Sequence, residues 1–413
     1  MSIDDLARSA GQDLRATAAD TFDVSGGLAR IPASSRRRTV AQQGTALALV
    51  LVVLIVGAFT VRPHIGAVPG PADSGTPTPS NSGSPSSPAP WLAFQNVESS
   101  GMCTLHLVHP DGSGDHAVLS EATTSSQLHP DWNQMHPDWS PDGKTLVYGL
   151  GDDLDTKQLW TVNVDGSGAR QLPIPTEAST DLDAPRWSPD GRSIAFVRLN
   201  QPTGHDPYMN VQKIDVATGA VTTIYTPPPG VGTWWISWAP DGQHLAVELV
   251  EYPSLTDNAV IGSSIAVVDL TQSNPKAKAL TPSSMFAAYP DWSPNGDRIV
   301  FTTRDLDWRG TLRDQTQPSD LYTIRPDGSG LQQLTHNPHG TALLAHDSRS
   351  GPLSAQPTWA PDGRSIYFVQ IGGAAPSTFS MASIAADGTG LTAATSTGFL
   401  FVGAHPRLQP TPG

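Results

Sequence analysis

The stretch HPDWSPDGKTLVYGL, residues 136–150, contains the pattern Trp-(Ser/Ala)-Pro-(Asp/Asn)-Gly, which decides the fold because it recurs along the chain. Copies begin at Trp139, Trp187, Trp238, Trp292 and Trp359. They are spaced roughly 50 to 70 residues apart, as propeller blades or solenoid units are. The remaining signature positions are Pro141, Asp142, Gly143, Pro189, Asp190, Gly191, Pro240, Asp241, Gly242, Pro294, Asn295, Gly296, Pro361, Asp362 and Gly363. The chain is therefore expected to be built from repeats.

Each copy predicts a tight turn followed by a β-strand. Ser-Pro-Asp-Gly, as in residues 140–143, places Pro where its ring pre-sets φ and Gly where a left-handed conformation costs little. Short alternating stretches follow, such as RSIAFVRL at 192–199 and DRIVFTTR at 297–304, and these predict strands. The Trp before each turn offers a large flat surface to a neighbouring sheet.

A second repeated motif completes the anatomy of one unit. Asp-Gly-(Ser/Thr)-Gly occurs at Asp111, Asp165, Asp327 and Asp387, each time between two short strand patterns, which is the signature of another hairpin. One unit therefore contains four antiparallel strands. The first unit lacks its opening strand, and TGFLFVGAHPRL at 397–408 looks like a unit that lacks the rest. Joined, they predict a sixth blade that closes the ring without exposed sheet edges.

These repeats resemble those of a known family. The units PDWSPDGKTLVYG…QLWTVNVDGSGARQLP and PDWSPNGDRIVFTT…DLYTIRPDGSGLQQLT are similar to the WD-type propeller repeats of the TolB-like family. The resemblance covers most of residues 91–407 and implies an all-β, six-bladed β-propeller. The family is periplasmic, and this chain is interpreted as a membrane-anchored member because of the segments that precede the propeller.

Residues 44–61, GTALALVLVVLIVGAFTV, form an uncharged apolar run that is long enough to cross a bilayer as one helix. Arg36, Arg37 and Arg38 precede it and only Arg62 follows closely, so the positive-inside rule places the N-terminus in the cytoplasm. A cleaved signal peptide is the alternative, but the charged leader is too long for one. The prediction is a single-pass protein of the cell membrane with an extracytoplasmic propeller.

The predicted domain map follows from these segments. Residues 1–43 form a partly disordered cytoplasmic segment, 44–61 the transmembrane helix, 62–90 a stalk rich in Pro, Ser and Gly, 91–407 the propeller and 408–413 a tail. The net charge is −14, which argues against a nucleic-acid partner. The chain carries no phosphate-binding loop or dinucleotide fingerprint, so no cofactor is expected.

Two groups of His residues are candidates for chemistry. The doubled His-Pro-Asp-Trp at 129–132 and 136–139 suggests a metal site, but its spacing matches no known ligand set, and the second copy falls on the repeat. The insert THNPHGTALLAHDSRSGP at 335–352 carries His336, His339 and His346. This insert is the better candidate for a functional loop, although an ordinary surface loop has the same composition.

The sequence favours a non-enzyme that binds or scaffolds protein partners of the cell envelope through the loops at one end of the propeller. No serine-hydrolase elbow or zinc-protease helix is present, and a peptidase is excluded because too few residues follow the sixth blade. Two alternatives remain open. One is an extracytoplasmic carbohydrate-active lyase or hydrolase that uses the His-containing loop, and the other is an envelope sensor whose cytoplasmic segment binds a regulator.

Overall fold

The computed structural model describes residues 90–97, 103–119, 135–151, 157–175, 180–200, 208–252, 260–303, 319–337, 353–371, 379–393 and 407–410. All of them lie in one compact unit, Ser84–Gly413. The predicted cytoplasmic segment, transmembrane helix and almost all of the stalk lie outside the described residues. Within the described part of the chain, no helix combines the length and the apolar character that a membrane crossing requires.

The described residues form six four-stranded antiparallel sheets, which are the blades of a β-propeller. The strands of blades 1 to 3 are β4 Asp138–Trp139, β5 Thr145–Leu150, β6 Gln158–Asn163 and β7 Arg170–Gln171; β8 Thr180–Trp187, β9 Ser193–Asn200, β10 Tyr208–Asp215 and β11 Val221–Tyr225; and β12 Val231–Trp238, β13 His244–Glu251, β14 Gly262–Asp269 and β15 Ala277–Ala279. Blade 4 contains β16 Ala287–Trp292, β17 Ile299–Thr303, β18 Leu321–Ile324 and β19 Gln332–Gln333, and blade 5 contains β20 Leu353–Trp359, β21 Ser365–Ile371, β22 Phe379–Ala385 and β23 Thr392–Ala393.

Blade 6 joins the two ends of the propeller, as the sequence predicted. Its order is β24 Arg407–Leu408, β1 Leu92–Val97, β2 Cys103–Val108 and β3 His116–Ala117. Leu408 pairs with Leu92, and the amide of Gln409 donates to the Trp91 carbonyl over 2.7 Å. The predicted propeller boundary at residue 407 therefore falls inside β24, because Leu408 and Gln409 belong to the closing sheet rather than to a tail.

Among the described residues, six apolar clusters lie between neighbouring blades, and each contains the last inner-strand residue of one blade, which is a signature Trp or Leu408. Trp139 packs with Ala93, Leu105 and Leu107 of blade 6. The other four signature Trp residues lie in the corresponding clusters against the blade that precedes theirs. Leu408 takes this position in blade 6, where it packs with Ala360 and Met381 of blade 5. A cluster at every blade boundary makes the ring closed.

The Trp-led turns lie together at one end of the propeller, here called the turn face. In blade 1, the Gly143 amide donates to the Ser140 carbonyl over 2.8 Å, and the Ser140 hydroxyl donates to Asp142 over 2.6 Å. Gly143 has a φ of +66°, which favours glycine. Neighbouring strands are antiparallel, so the loops between the second and third strands of a blade lie at the opposite end of the propeller. The loops between blades lie there too, and this end is here called the loop face. A short 3₁₀ helix, Ser283–Met285, lies on one of these connections.

Gly166, in the outer hairpin turn of blade 1, tests the packing between blades 1 and 6. Its φ is +79°, and a Cβ added there would lie 2.4 Å from the backbone oxygen of Val118. Gly242 has a φ of +66° with no atom within 4 Å of the same position. We expect Gly166→Ala to lower the free energy of unfolding by about 1–3 kcal/mol more than Gly242→Ala, because only the first adds an overpacking cost. Urea unfolding of both variants measures the difference, and equal losses would contradict the packing at this turn.

Candidate functional site on the propeller axis

A β-bulge interrupts the inner strand of several blades at the same place. Pairing shifts between Asp183 and Arg186, between Ala288 and Asp291, and between Ala355 and Thr358. Pro occupies the second bulge position in each of these blades, where the ladder requires no amide donor. The first bulge positions have positive φ: 46° at Ala184, 55° at Tyr289 and 54° at Gln356. Strained backbone of this kind changes the direction of the side chains and occurs often at functional sites.

The residues directly before the inner-strand Trp, and Arg407 before Leu408, form a polar ring around the axis. Its members are Asp138, Arg186, Ser237, Asp291, Thr358 and Arg407. Arg407 of blade 6 donates to Asp291 of blade 4. Because blade 5 lies between those two blades, this ion pair crosses the inside of the ring.

The carboxylates of this ring also bind backbone amides of the following blade. Asp138 accepts from the Trp187 amide over 2.7 Å, and Asp291 accepts from the Trp359 amide over 2.9 Å. The Trp139 indole donates to the Arg407 carbonyl over 2.9 Å, which ties blade 1 to blade 6. Both acidic residues of the ring are therefore occupied by structural contacts.

A buried cluster of charged residues lies where blades 1 and 2 meet. His136 is three residues before Trp139, Asp183 is four residues before Trp187, and Lys157 directly precedes β6. Nδ1 of His136 donates to Asp183, and Nζ of Lys157 lies 3.0 Å from the other oxygen of that carboxylate. Asp183 also accepts from the Ala184 amide over 2.7 Å. The exposed fraction is 2% for His136 and 4% for Lys157. The carboxylate thus fixes the ring orientation and the tautomer of the imidazole.

Burial and the neighbouring charges set the protonation of this cluster. Desolvation lowers the pKa of His136 to about 4, although the Asp183 carboxylate opposes the shift. Burial alone would raise the pKa of Asp183, but His136 and Lys157 outweigh it and lower that pKa. Burial likewise opposes the charge on Lys157, and the carboxylates of Asp183 and Asp181 raise its pKa. At neutral pH the cluster is a neutral imidazole beside an ionised Lys–Asp pair.

This arrangement predicts a pH dependence of stability with a defined sign. The pKa of His136 is lowered from 6.5 to about 4 on folding. Between these two pH values, His136 is protonated in the unfolded chain and neutral in the folded chain. Stability is therefore fully present above pH 6.5 and is lost as the pH falls towards 4, by up to about 3 kcal/mol. Urea unfolding at pH 7 and pH 4.5 should show that His136→Gln loses less stability on acidification than the wild type. The exposed His336 gives the control, His336→Gln, and equal losses in all three proteins would contradict the buried imidazole.

A small cavity lies on the axis between this cluster and the polar ring. It is lined by residues of blades 2 to 6, namely Arg186, Trp235, Tyr289, Pro290, Gln356, Pro357 and Arg407. The space open to the centre of a water-sized sphere is about 10 Å³, which suits one water molecule or one small polar group. The His136 ring meets Trp235 edge-on with centroids 4.5 Å apart, so His136 lies directly behind the cavity wall.

The sequence-predicted site residues are placed differently. His336 is exposed beyond β19, while His339 and His346 lie outside the described residues. The Asn337 side chain donates to Ser354 of blade 5 over 3.1 Å, which fixes the beginning of the insert at the loop face. Among the described residues, no group of His, Cys, Asp or Glu has the arrangement of a metal site.

Sequence reasoning missed Lys157, Asp183 and Arg186. It assigned the second His-Pro-Asp-Trp copy to the repeat alone, whereas His136 belongs to the buried cluster. One position of the otherwise regular repeat, three residues before each Trp, varies from blade to blade and could have indicated the site. It holds His136, Ala184, Trp235, Tyr289 and Gln356.

Comparison with known proteins finds both propellers and peptidases. No family model matches the chain. Dipeptidyl-peptidase 5 of Porphyromonas gingivalis is 24% identical over 275 residues, which cover 56% of this chain and 36% of that protein. Uncharacterized peptidase YuxL of Bacillus subtilis is 26% identical over 185 residues, covering 45% of this chain and 23% of that protein. The chain thus corresponds to about a third or less of each of these relatives.

Among solved structures, TolB from Acinetobacter baumannii aligns with a TM-score of 0.55 and 18% identity, covering 78% of this chain and 67% of that one. This likeness supports the TolB-like propeller fold.

The peptidase relatives overturn two of our predictions. The interpretation of the chain as a non-catalytic binding or scaffolding protein is wrong, and so is the prediction that it is not an enzyme, because both curated relatives carry peptidase names. Short catalytic motifs mark only those sites that one continuous segment encodes. A propeller instead assembles groups from separate blades, as it does with His136 and Asp183. Fold alone also leaves function open.

Proposed function

We propose that the protein is a hydrolase that cleaves peptides on the propeller axis. The observation that carries the proposal is the neutral His136 imidazole, held by the ionised Asp183 carboxylate behind the wall of the axial cavity. A neutral imidazole oriented by a carboxylate is the form that accepts a proton in general-base catalysis. The peptidase names of the two curated relatives favour a peptide as the substrate.

In this mechanism, the Trp235 ring, which separates His136 from the cavity, turns aside so that a water molecule reaches the imidazole. His136 then takes a proton from that water as the water oxygen bonds to the peptide carbonyl carbon. Asp183 stabilises the imidazolium that forms, as the carboxylate of a catalytic triad does. The proton then passes to the departing amine when the C–N bond breaks. Lys157 contributes by keeping Asp183 ionised, and burial keeps His136 unprotonated before the reaction.

The test of this proposal is a substrate panel offered to the full-length protein. Fluorogenic peptide amides with free and blocked N-termini form one arm, and neutral and acidic oligosaccharides form the other. Hydrolysis in the peptide arm supports the proposal. Turnover of oligosaccharides alone would replace it with the carbohydrate-active alternative, and no turnover in either arm would overturn it.

We also propose that the propeller is tethered outside the cytoplasm by residues 44–61. The apolar run and the preceding arginines support this topology. Protease added to intact cells should then release a fragment that contains the propeller by cutting within residues 62–90. Complete protection of the propeller until the membrane is permeabilised would contradict the topology.

A further inference from the structure

The Arg186 side chain lines the axial cavity and forms no direct ion pair with a carboxylate of the described residues. The residue is 4% exposed, and its Nε has no hydrogen-bond partner among the described residues. Nη1 donates to the Pro185 carbonyl over 2.7 Å, which satisfies one donor but supplies no negative charge. Within the described part of the chain, no carboxylate lies within ion-pair distance of this guanidinium.

The nearby acidic residues are engaged elsewhere. Asp291 pairs with Arg407, Asp138 accepts from the Trp187 amide, and Asp183 pairs with Lys157. Burial and the charge of Arg407 lower the pKa of Arg186 to about 9, against the attraction of Asp138, Asp291 and Asp183, and the side chain stays cationic at neutral pH. An anion that enters the cavity can form the direct ion pair that no described carboxylate forms with Arg186.

The size and walls of the cavity define that anion. The free space of about 10 Å³ for a water-sized sphere admits one small group rather than a whole side chain. Trp235, Tyr289, Pro290 and Pro357 supply low-polarity walls, which strengthen a charge-assisted hydrogen bond, and Gln356 adds an amide. One oxygen of a carboxylate fits this space, and the planar geometry of a carboxylate matches a guanidinium.

We infer that the axial cavity binds a carboxylate group of the peptide substrate through Arg186, which rests on the proposed peptidase function. The carboxylate belongs either to the C-terminus of the peptide or to an acidic side chain. In both cases the peptide enters end-on along the propeller axis, and the bond beside His136 is selected by its distance from the anchored group. The protein would then favour peptides of defined length from the carboxylate.

Isothermal titration with matched peptides tests this inference without requiring turnover. The full-length protein is titrated with a neutral peptide as its free acid, with the same peptide as its C-terminal amide, and with an amide that carries one internal Glu. At least a tenfold weaker Kd for the neutral amide is expected. Restored affinity in the Glu-containing amide assigns the site to side-chain carboxylates, and its absence assigns the site to the C-terminus.

Two variants separate the site from the fold. Arg186→Met should weaken binding of the favoured peptide at least tenfold in a protein that still unfolds cooperatively, because it removes the cation that pairs with the carboxylate. Arg298→Met is the control, since Arg298 donates to Thr323 and to the Gly330 carbonyl in blade 4. Equal affinity for acid and amide, or unchanged affinity in Arg186→Met, would overturn the inference. Carboxylate-dependent binding without cleavage would instead overturn the peptidase proposal. Cleavage without carboxylate dependence would overturn this inference and support the peptidase proposal.

Discussion

A chain that ends after residue 404 should lose the cooperative unfolding of the propeller. The truncation removes β24, Arg407–Leu408, which is the inner strand of blade 6. It takes away the Arg407–Asp291 ion pair, the carbonyl that binds the Trp139 indole, and the Leu408 side chain packed against blade 5. A closed ring becomes an open array with an exposed edge at β1.

The expected loss of stability is large because closure joins every blade boundary into one cooperative unit. We expect at least about 5 kcal/mol, which equals the whole stability of many domains. Urea unfolding followed by tryptophan fluorescence measures it, and a chain that ends after Pro410 is the control because it retains β24 and Gln409. Leu408→Asp gives a second test in the complete chain. A truncated protein with the unfolding midpoint of the wild type would show that the ring does not depend on this closure.

His136→Gln should lower kcat for peptide hydrolysis by about 10²- to 10⁴-fold, the usual contribution of a general base. Glutamine retains a donor for Asp183 but cannot accept the proton from the attacking water. Asp183→Asn should produce a loss of similar size because it removes the charge that stabilises the imidazolium and permits the wrong tautomer. In both variants KM should change little, since neither side chain lines the axial cavity.

Stability measurements keep this prediction separate from misfolding. Asp183→Asn leaves Lys157 buried without its partner, so this variant is also expected to be less stable by several kcal/mol. His136→Gln keeps the Lys157–Asp183 pair intact and should remain folded at neutral pH. His336→Gln, at the exposed start of the insert, should retain full activity. A folded His136→Gln protein with wild-type kcat would remove His136 from the mechanism.

The fold was accessible from the sequence because its determinants are local and repeated. Trp-led turns with Gly at a left-handed position can be recognised one segment at a time, and their spacing predicts the number of blades. The closing strand was also visible, since HPRL at 405–408 matches HPDW at 136–139 with Arg in place of Asp and Leu in place of Trp. Packing of Leu408 in the sixth cluster explains why that substitution is compatible with the ring.

The candidate site was not accessible from the sequence because its members come from different blades. His136 and Asp183 are separated by 47 positions along the chain, and Lys157 directly precedes a third strand, β6. Their pairing depends on where the inner-strand bulge turns the backbone, and no single segment encodes that position. The His-containing insert drew attention because its residues are neighbours in sequence, whereas the buried charges are neighbours only in space.

The dependence of kcat/KM on pH tests most directly whether His136 acts as a neutral base. We expect kcat/KM to fall on acidification with a midpoint near pH 4, the value to which burial lowers the pKa of His136. Lys157→Met should move that midpoint upward, because the charge on Lys157 helps to lower the pKa. A profile whose acid limb lies near 6.5 and does not respond to Lys157→Met would contradict the role of His136 as a neutral general base.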